Sequence, residues 1–203
     1  MIFYANKALR LNTKPQIAIS ACLLGQMVRY DGKEKKQPLI VAFFLNKKYL
    51  QYNLSGTVEV VPFCPEVGIG LGVPRAKIQA VRQKDEQIRI VGVENHTWDV
   101  TEALKSYAEH FLQQYPDIQY FIVKAKSPSC GYQSTPLFQA LIPVQAKQCA
   151  QEEQKVEQIA LVSGLFVQTI LELKPQLHII DETCLSTEQS CLSLLQQILQ
   201  QTE

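Results

Sequence analysis

No apolar run in the 203-residue chain is long enough to cross a bilayer, so no membrane span is expected. Residues 1–10 hold neither an apolar core nor a cleavage-like tail, and no signal peptide is expected. The formal net charge is only +1. Strong non-specific attraction to nucleic acid or anionic lipid needs a larger basic surplus. The densest charge run, K-E-K-K at residues 33–36, reads as a solvated face. No C-x-x-C pair occurs, which removes the usual local signature of a zinc or redox motif. No internal repeat or low-complexity linker divides the chain. Six cysteines in a chain of this size do not make a disulfide scaffold. A cytoplasmic protein with reduced thiols is expected instead.

What is present suits one globular domain over residues 1–203, with 46% hydrophobic content to build a core. Residues 16–21 (Q-I-A-I-S-A) read as a short apolar strand. Residues 38–52 read as a helix, with Pro38 in its first turn and Leu39, Phe43 and Leu50 on an apolar face. Residues 78–82 and 88–93 flank Lys84, Asp85 and Glu86 and read as a hairpin. Asp99 to Glu102 resembles a capping box, and behind it Leu104, Ala108, Phe111 and Tyr115 recur at helical spacing. Residues 120–123 (Y-F-I-V) read as a strand buried on both faces. A helix over residues 164–174 with Ser163 as N-cap, a strand over 177–180 and a C-terminal helix capped from Ser186 complete the chain. The Gln-rich residues 145–154 and 196–201 read as polar helix surface. Strands alternating with helices predict an α/β fold: a mostly parallel sheet with helices on both faces, plus a small hairpin.

Residues 57–75 (T-V-E-V-V-P-F-C-P-E-V-G-I-G-L-G-V-P-R) organise this layout. The β-branched start favours a strand, and Pro62 is expected to end it. Cys64, Pro65 and Glu66 follow. Gly68, Gly70 and Gly72 then let the backbone adopt conformations a side chain would forbid. A thiol and a carboxylate are thus placed just past a strand end, where ligands bind in α/β sheets. Cys64 alone reads equally as a small buried hydrophobe.

Cys22 and Cys130 change that balance. With Cys64 they each follow a predicted buried strand, and each has a turn residue beside it: Gly25, Pro65 or Gly131. Parallel strands would bring all three thiols to one rim of the sheet. Cys149, Cys184 and Cys191 lack such surroundings and read as packing or surface residues. Three convergent thiolates suit zinc or an iron–sulfur cluster. A cubane cluster normally takes four cysteines, so three would leave one iron open to chemistry.

Four motifs occur in order: S-A-C-L-L-G at residues 20–25, V-R-Y-D-G at 28–32, F-C-P-E at 63–66 with G-L at 70–71 and P-R at 74–75, and S-P-S-C-G at 127–131. Together they resemble the thiouracil desulfurases, over roughly residues 17–181. The resemblance implies a Rossmann-like fold and a 4Fe-4S cluster held by Cys22, Cys64 and Cys130, with zinc as the alternative. It also implies a free iron that takes the sulfur of a thiolated pyrimidine, with no net redox change. The chain departs from the family pattern at Lys77 and Gln79, where a further Pro and a Glu are usual. Tyr132 to Pro136 replaces a Gly-rich segment.

On that resemblance Glu66 is the first candidate general base, two residues from a ligand. Asp31 is the second, unless it only closes a turn. Ser127 and Ser129 are candidates to position the substrate ring or hydrogen-bond cluster sulfurs, or simply cap backbone groups. Arg75 and Arg29 are candidates to bind an anionic substrate group or to pair with Glu66. His96, His110 and His178 read as structural. The expected substrate is a small thiolated base; a thiolated nucleotide or tRNA base is the alternative, and so is a non-catalytic metal-binding role. A near-neutral chain disfavours unaided tRNA binding. Oligomeric state is not legible in the sequence.

Overall fold

The structure is a computed structural model describing residues 14–52, 58–140 and 156–200. In chain order its elements are β1 (Gln16–Ser20), α1 (Pro38–Ile40), β2 (Glu59–Phe63), α2 (Pro65–Gly68), β3 (Ile78–Arg82) and β4 (Ile88–Gly92). Then come α3 (Thr101–Gln114), β5 (Tyr120–Val123), β6 (Thr135–Ala140), β7 (Val156–Val162), α4 (Leu165–Leu173), β8 (His178–Asp181) and α5 (Glu188–Gln200).

The first sheet has the order β2-β1-β5-β8, and every pair in it is parallel. Its side chains alternate between two apolar layers, as strand geometry requires. Ile17, Ile19 and Ile122 face Ile40 and Phe43 on one side, together with Leu194 and Leu195 of α5. Ala18, Phe121 and Val123 face the other side, against Phe111 of α3 and Phe166 of α4. There Phe63 meets three rings: Phe111 at 5.6 Å, Phe121 at 5.8 Å and Phe166 at 5.3 Å between centroids. Each fully buried ring of this kind stabilises the fold by about 1.5–3 kcal/mol. Helices on both faces of a parallel sheet are what the alternation of strands and helices predicts.

The predicted hairpin is real, but it is half of a second sheet with the order β4-β3-β6-β7. Here β3 pairs antiparallel with β4 and parallel with β6. A third core joins this sheet to the first layer through Leu104 of α3 and Leu165 of α4.

Other elements differ from the sequence reading in detail. Pro62 lies inside β2, paired with Ile19, and does not end it. The strand is at the sheet edge, so the missing N–H faces away from the ladder. Residues 38–52 are not one helix: α1 runs into a π-helical turn at Val41–Leu45, Lys47 has a φ of 53°, and a 3-10 turn follows at Lys48–Tyr52. The residue before α4 is Gly164, with no side-chain cap, while the Ser163 hydroxyl accepts from the Gln133 N–H. The Asp99 carboxylate accepts from the Thr101 N–H at 2.8 Å, but Glu102 pairs with Lys105, so no reciprocal box forms. At α5 the hydroxyl that accepts from a first-turn N–H is that of Thr187, from Ser190, not that of Ser186. Thr57, Cys149 and residues 145–154 lie outside the described residues. No described helix is long and apolar enough to cross a membrane.

Candidate active site

Chain order reverses direction across the first sheet at β1, which has β2 on one side and β5 on the other. The crevice beyond the carboxyl ends at such a point is where α/β sheets bind ligands. All three strands end there in a cysteine-bearing turn.

After β1, Cys22 sits in a 3-10 turn, Ala21–Leu24, closed by Gly25 at a φ of 93°. Its carbonyl accepts from the N–H groups of Gly25 and Lys35 at 3.3 and 2.9 Å, so the loop between them folds back over the strand end. After β2, Cys64 is the N-cap of α2. Gly68 ends that short helix against the ring of Tyr107, so close that a Cβ would meet Tyr107 Cε2 at 2.2 Å.

After β5, the segment 124–131 carries Cys130 and is held from three sides. The N–H groups of Gly164, Leu165 and Phe166, unpaired at any helix start, donate to the carbonyls of Gly131, Pro128 and Ser129. The Glu182 carboxylate accepts from the Ala125 N–H at 2.5 Å and pairs with the Lys124 ammonium. Ser134 Oγ accepts from the Lys126 N–H and donates to Asp181. Gly131 packs against Thr135 Oγ1 and the Ser127 backbone, where a Cβ would come within 2.5 Å.

The three turns enclose a cavity of about 300 Å³ lined by Cys22, Cys64 and Cys130. The Cys22 thiol is pushed up to about 12, chiefly by burial and then by the nearby Cys130 and Cys64, against the opposing pull of Arg29 and Lys124. Burial likewise pushes Cys130 up to about 11, against the Ser127 and Ser20 hydroxyls. Cys64 is raised by the same cause. The thiols therefore sense one another across a shared cavity, and binding a soft cation there would release their protons. Among the described residues no three His, Cys, Asp or Glu side chains stand close enough to hold a single metal ion. One zinc needs all its thiolates at about 2.3 Å. Three sulfurs that line a cavity without meeting at a point suit a cluster of several metal atoms better.

Glu66, Ser127 and Ser129 line the same cavity. Glu66 Oε2 accepts from Arg75 Nε at 2.8 Å, and Glu66 Oε1 accepts from Ser129 Oγ at 2.9 Å. Ser129 Oγ is 3.0 Å from Ser127 Oγ, which accepts from the Cys130 N–H at 3.2 Å. Arg75 is committed to the protein: Nη1 donates to the Gly72 carbonyl, and Nη2 lies 4.0 Å from Cys64 Sγ. Its side chain is only 6% exposed. Arg29 lines the cavity with its guanidinium over the Tyr30 ring. Asp31 is not among the lining residues. Its carboxylate closes a turn by accepting from the Lys33 N–H and pairs with Arg29. Desolvation raises its pKa, but these two partners outweigh it and the net direction is down.

The family of 2-thiouracil desulfurases matches residues 17–182. The chain belongs to this family. A solved 4Fe-4S-dependent thiouracil desulfidase, TudS, is 26% identical, with a TM-score of 0.56 over 89% of this chain and 99% of that one. No curated protein matches the chain.

Within the desulfurase fold, two of the departures from the family pattern, Lys77 and Gln79, have partners of their own. Lys77 places its ammonium 5.1 Å from the Tyr30 ring centroid, and Gln79 Nε2 lies 3.1 Å from His96 Nε2. The sequence reading gave no part in the site to Ser20, Lys124, Tyr107, Gly164 or Glu182, and it took Lys35 as part of a solvated face. Lys124 directly follows the predicted strand at residues 120–123, so its place was visible in the sequence. Glu182 is brought to it from the end of β8, and no local pattern announces that pair.

Proposed function

We propose that the chain holds a 4Fe-4S cluster on Cys22, Cys64 and Cys130 and converts a thiolated pyrimidine, such as thiouracil, to the oxo base and sulfide. The observation that supports this most is the convergence of those cysteines with Glu66 on one cavity at the switch point of the sheet. Family membership and the cluster-dependent relative point the same way. With three protein ligands, such a cluster would supply an open iron as a Lewis acid for soft thiocarbonyl sulfur.

The reaction needs no oxidant or reductant. The oxygen of water bonds to the ring carbon, the carbon–sulfur bond breaks, and sulfur leaves with the bonding pair. Thiocarbonyl and water become carbonyl, hydrosulfide and a proton. In this reading the Ser129 hydroxyl takes a proton from the attacking water while passing its own to Glu66. Arg75 holds that carboxylate in line. Ser127 fixes the Cys130 turn and the rotamer of Ser129. Asp31 keeps Arg29 over Tyr30, a positioning part and not a proton-transfer one. The enzyme belongs in the cytoplasm, where thiols such as Cys22, Cys64 and Cys130 stay reduced.

A thiolated nucleotide is the second reading. Lys35 and Lys126 line the cavity, and neither has a carboxylate partner among the described residues. The test is sulfide release by anaerobically reconstituted protein without added reductant, comparing thiouracil with its nucleotide. Full iron and sulfide content with no turnover of either would leave only a cluster-binding role.

A further inference from the structure

Ser20 is a buried hydroxyl on the cavity wall that the proton relay does not use. It closes β1, and the ladder to β5 pairs as far as Ile19 and Ile122. Just past that point Ser20 Oγ accepts from the Lys124 backbone N–H at 3.1 Å. An N–H can only donate, so the hydroxyl keeps its own proton to give. Among the described residues its one other polar neighbour is Cys130 Sγ, 3.5 Å away. As a thiol, Cys130 could be the donor of that pair. As a metal ligand it has lost its proton, and only Ser20 can donate. The other polar groups near the thiols are already committed. Ser129 gives its proton to the Glu66 carboxylate, which only accepts, so Ser127 gives its own to Ser129 and has none for Cys130. Arg29 donates to Asp31, and the Lys124 ammonium pairs with Glu182 and donates to the Ala125 carbonyl. Arg75 Nη2 stands 4.0 Å from Cys64, a longer contact to a different sulfur.

We propose that Ser20 is an outer hydrogen-bond donor to the Cys130 sulfur, a positioning residue that tunes the cysteine-bound cluster from outside its ligands. This rests on the cluster reading given above but needs no turnover. The Lys124 N–H fixes the hydroxyl oxygen from one side, so the proton is aimed at the sulfur before any metal arrives. Hydrogen bonds to ligand sulfurs are among the levers that set the potential of an iron–sulfur site. An O–H on the thiolate draws negative charge from it and favours the more reduced state. The same withdrawal leaves the metal a stronger Lewis acid, which thiocarbonyl activation calls for. Ser20 transfers no proton and touches no substrate; it acts through Cys130.

The test uses the anaerobically reconstituted full chain. Ser20→Ala should shift the cluster's midpoint potential to a more negative value, and Ser20→Thr, which keeps the hydroxyl, should restore the parent's. Electron–nuclear double resonance on the reduced parent should show a proton coupled to the cluster that exchanges in D2O before the buried amides do. Ser20→Ala should lack it. A purely structural serine would give a different result: Ser20→Ala would melt earlier, through the lost partner of the Lys124 N–H, with the potential unmoved. That outcome overturns the proposal. If Ser20→Ala does not load iron, the parent's resonance spectrum decides alone, and the absence of a fast-exchanging coupled proton overturns it equally. A parent that holds the cluster and releases no sulfide overturns the desulfurase activity only, and the potentials still decide the role of Ser20. A parent that holds no iron overturns the cluster reading, and this proposal with it.

Discussion

Gly164 and Ser129 touch through their backbones: a Cβ on Gly164 would lie 2.5 Å from the Ser129 carbonyl carbon. That contact lets the first N–H groups of α4 reach the carbonyls of the Cys130 turn. Helix and cysteine turn are therefore set as one unit. Gly164→Ala should destabilise the fold by about 1–3 kcal/mol through overpacking and lower bound iron after reconstitution. Thermal melting and iron content check both. A variant with the parent's melting temperature and iron would show that the close approach is not constraining.

A second close approach sets Cys64. Gly68→Ala would drive a methyl into the Tyr107 ring and displace α2, which carries both Cys64 and Glu66. Tyr107→Ala opens a cavity in the same place. The two changes should be strongly non-additive, with the double variant more stable than the sum of the single losses allows. Denaturant midpoints of the four proteins give the coupling directly. Additive losses would mean that ring and glycine do not share the space.

The ligand set has its own test. Changing Cys22, Cys64 or Cys130 singly to Ala should abolish bound iron. Cys184→Ala, at an exposed position, should leave iron at the parent's level. Cys191→Ala should also keep iron while losing stability, because Cys191 packs at 0% exposure beside Leu194 and Leu195. Iron and acid-labile sulfide counts separate these cases. A dependence on Cys184 would give a fourth ligand and close the site.

How far the sequence reached follows from which contacts are local. The parallel sheet was legible because Ile17, Ile19, Phe121 and Ile122 lie in short apolar runs that fill both faces. The cysteines were legible because each follows such a run and adjoins a turn residue. The second sheet was not, because β6 contains Pro136 and β7 has polar residues at Glu157 and Gln158. Both strands depend on their pairing with each other for definition. Pro62 misled for a related reason: whether proline ends a strand depends on which edge of the sheet it lies on. Asp31 carried the right chemistry, but its own turn holds it out of the cavity. Glu182 had no local signal at all, and its role comes from a partner that only the fold brings near.

The proton relay gives the most direct test of the chemistry. Glu66 has Arg75 on one oxygen and Ser129 on the other, so a proton from water reaches it either through the Ser129 hydroxyl or directly at a remaining lone pair. Glu66→Gln keeps the shape, and its amide can still meet Ser129, but it cannot take the proton. kcat for sulfide release should fall about 10²–10⁴-fold, with iron content unchanged. Ser129→Ala separates the two routes. If the hydroxyl passes the proton, this variant should lose kcat on the same scale while KM stays within a few-fold. If water meets Glu66 directly, removing the hydroxyl opens its path and the rate should hold or rise. Ser127→Ala should lie between, because it loosens the Cys130 turn as well as the Ser129 rotamer, and its iron content should fall with its rate. Sulfide release and iron counts on all three variants distinguish a relay through Ser129 from direct attack. A Glu66→Gln protein with full iron and the parent's kcat would remove Glu66 from the proton path.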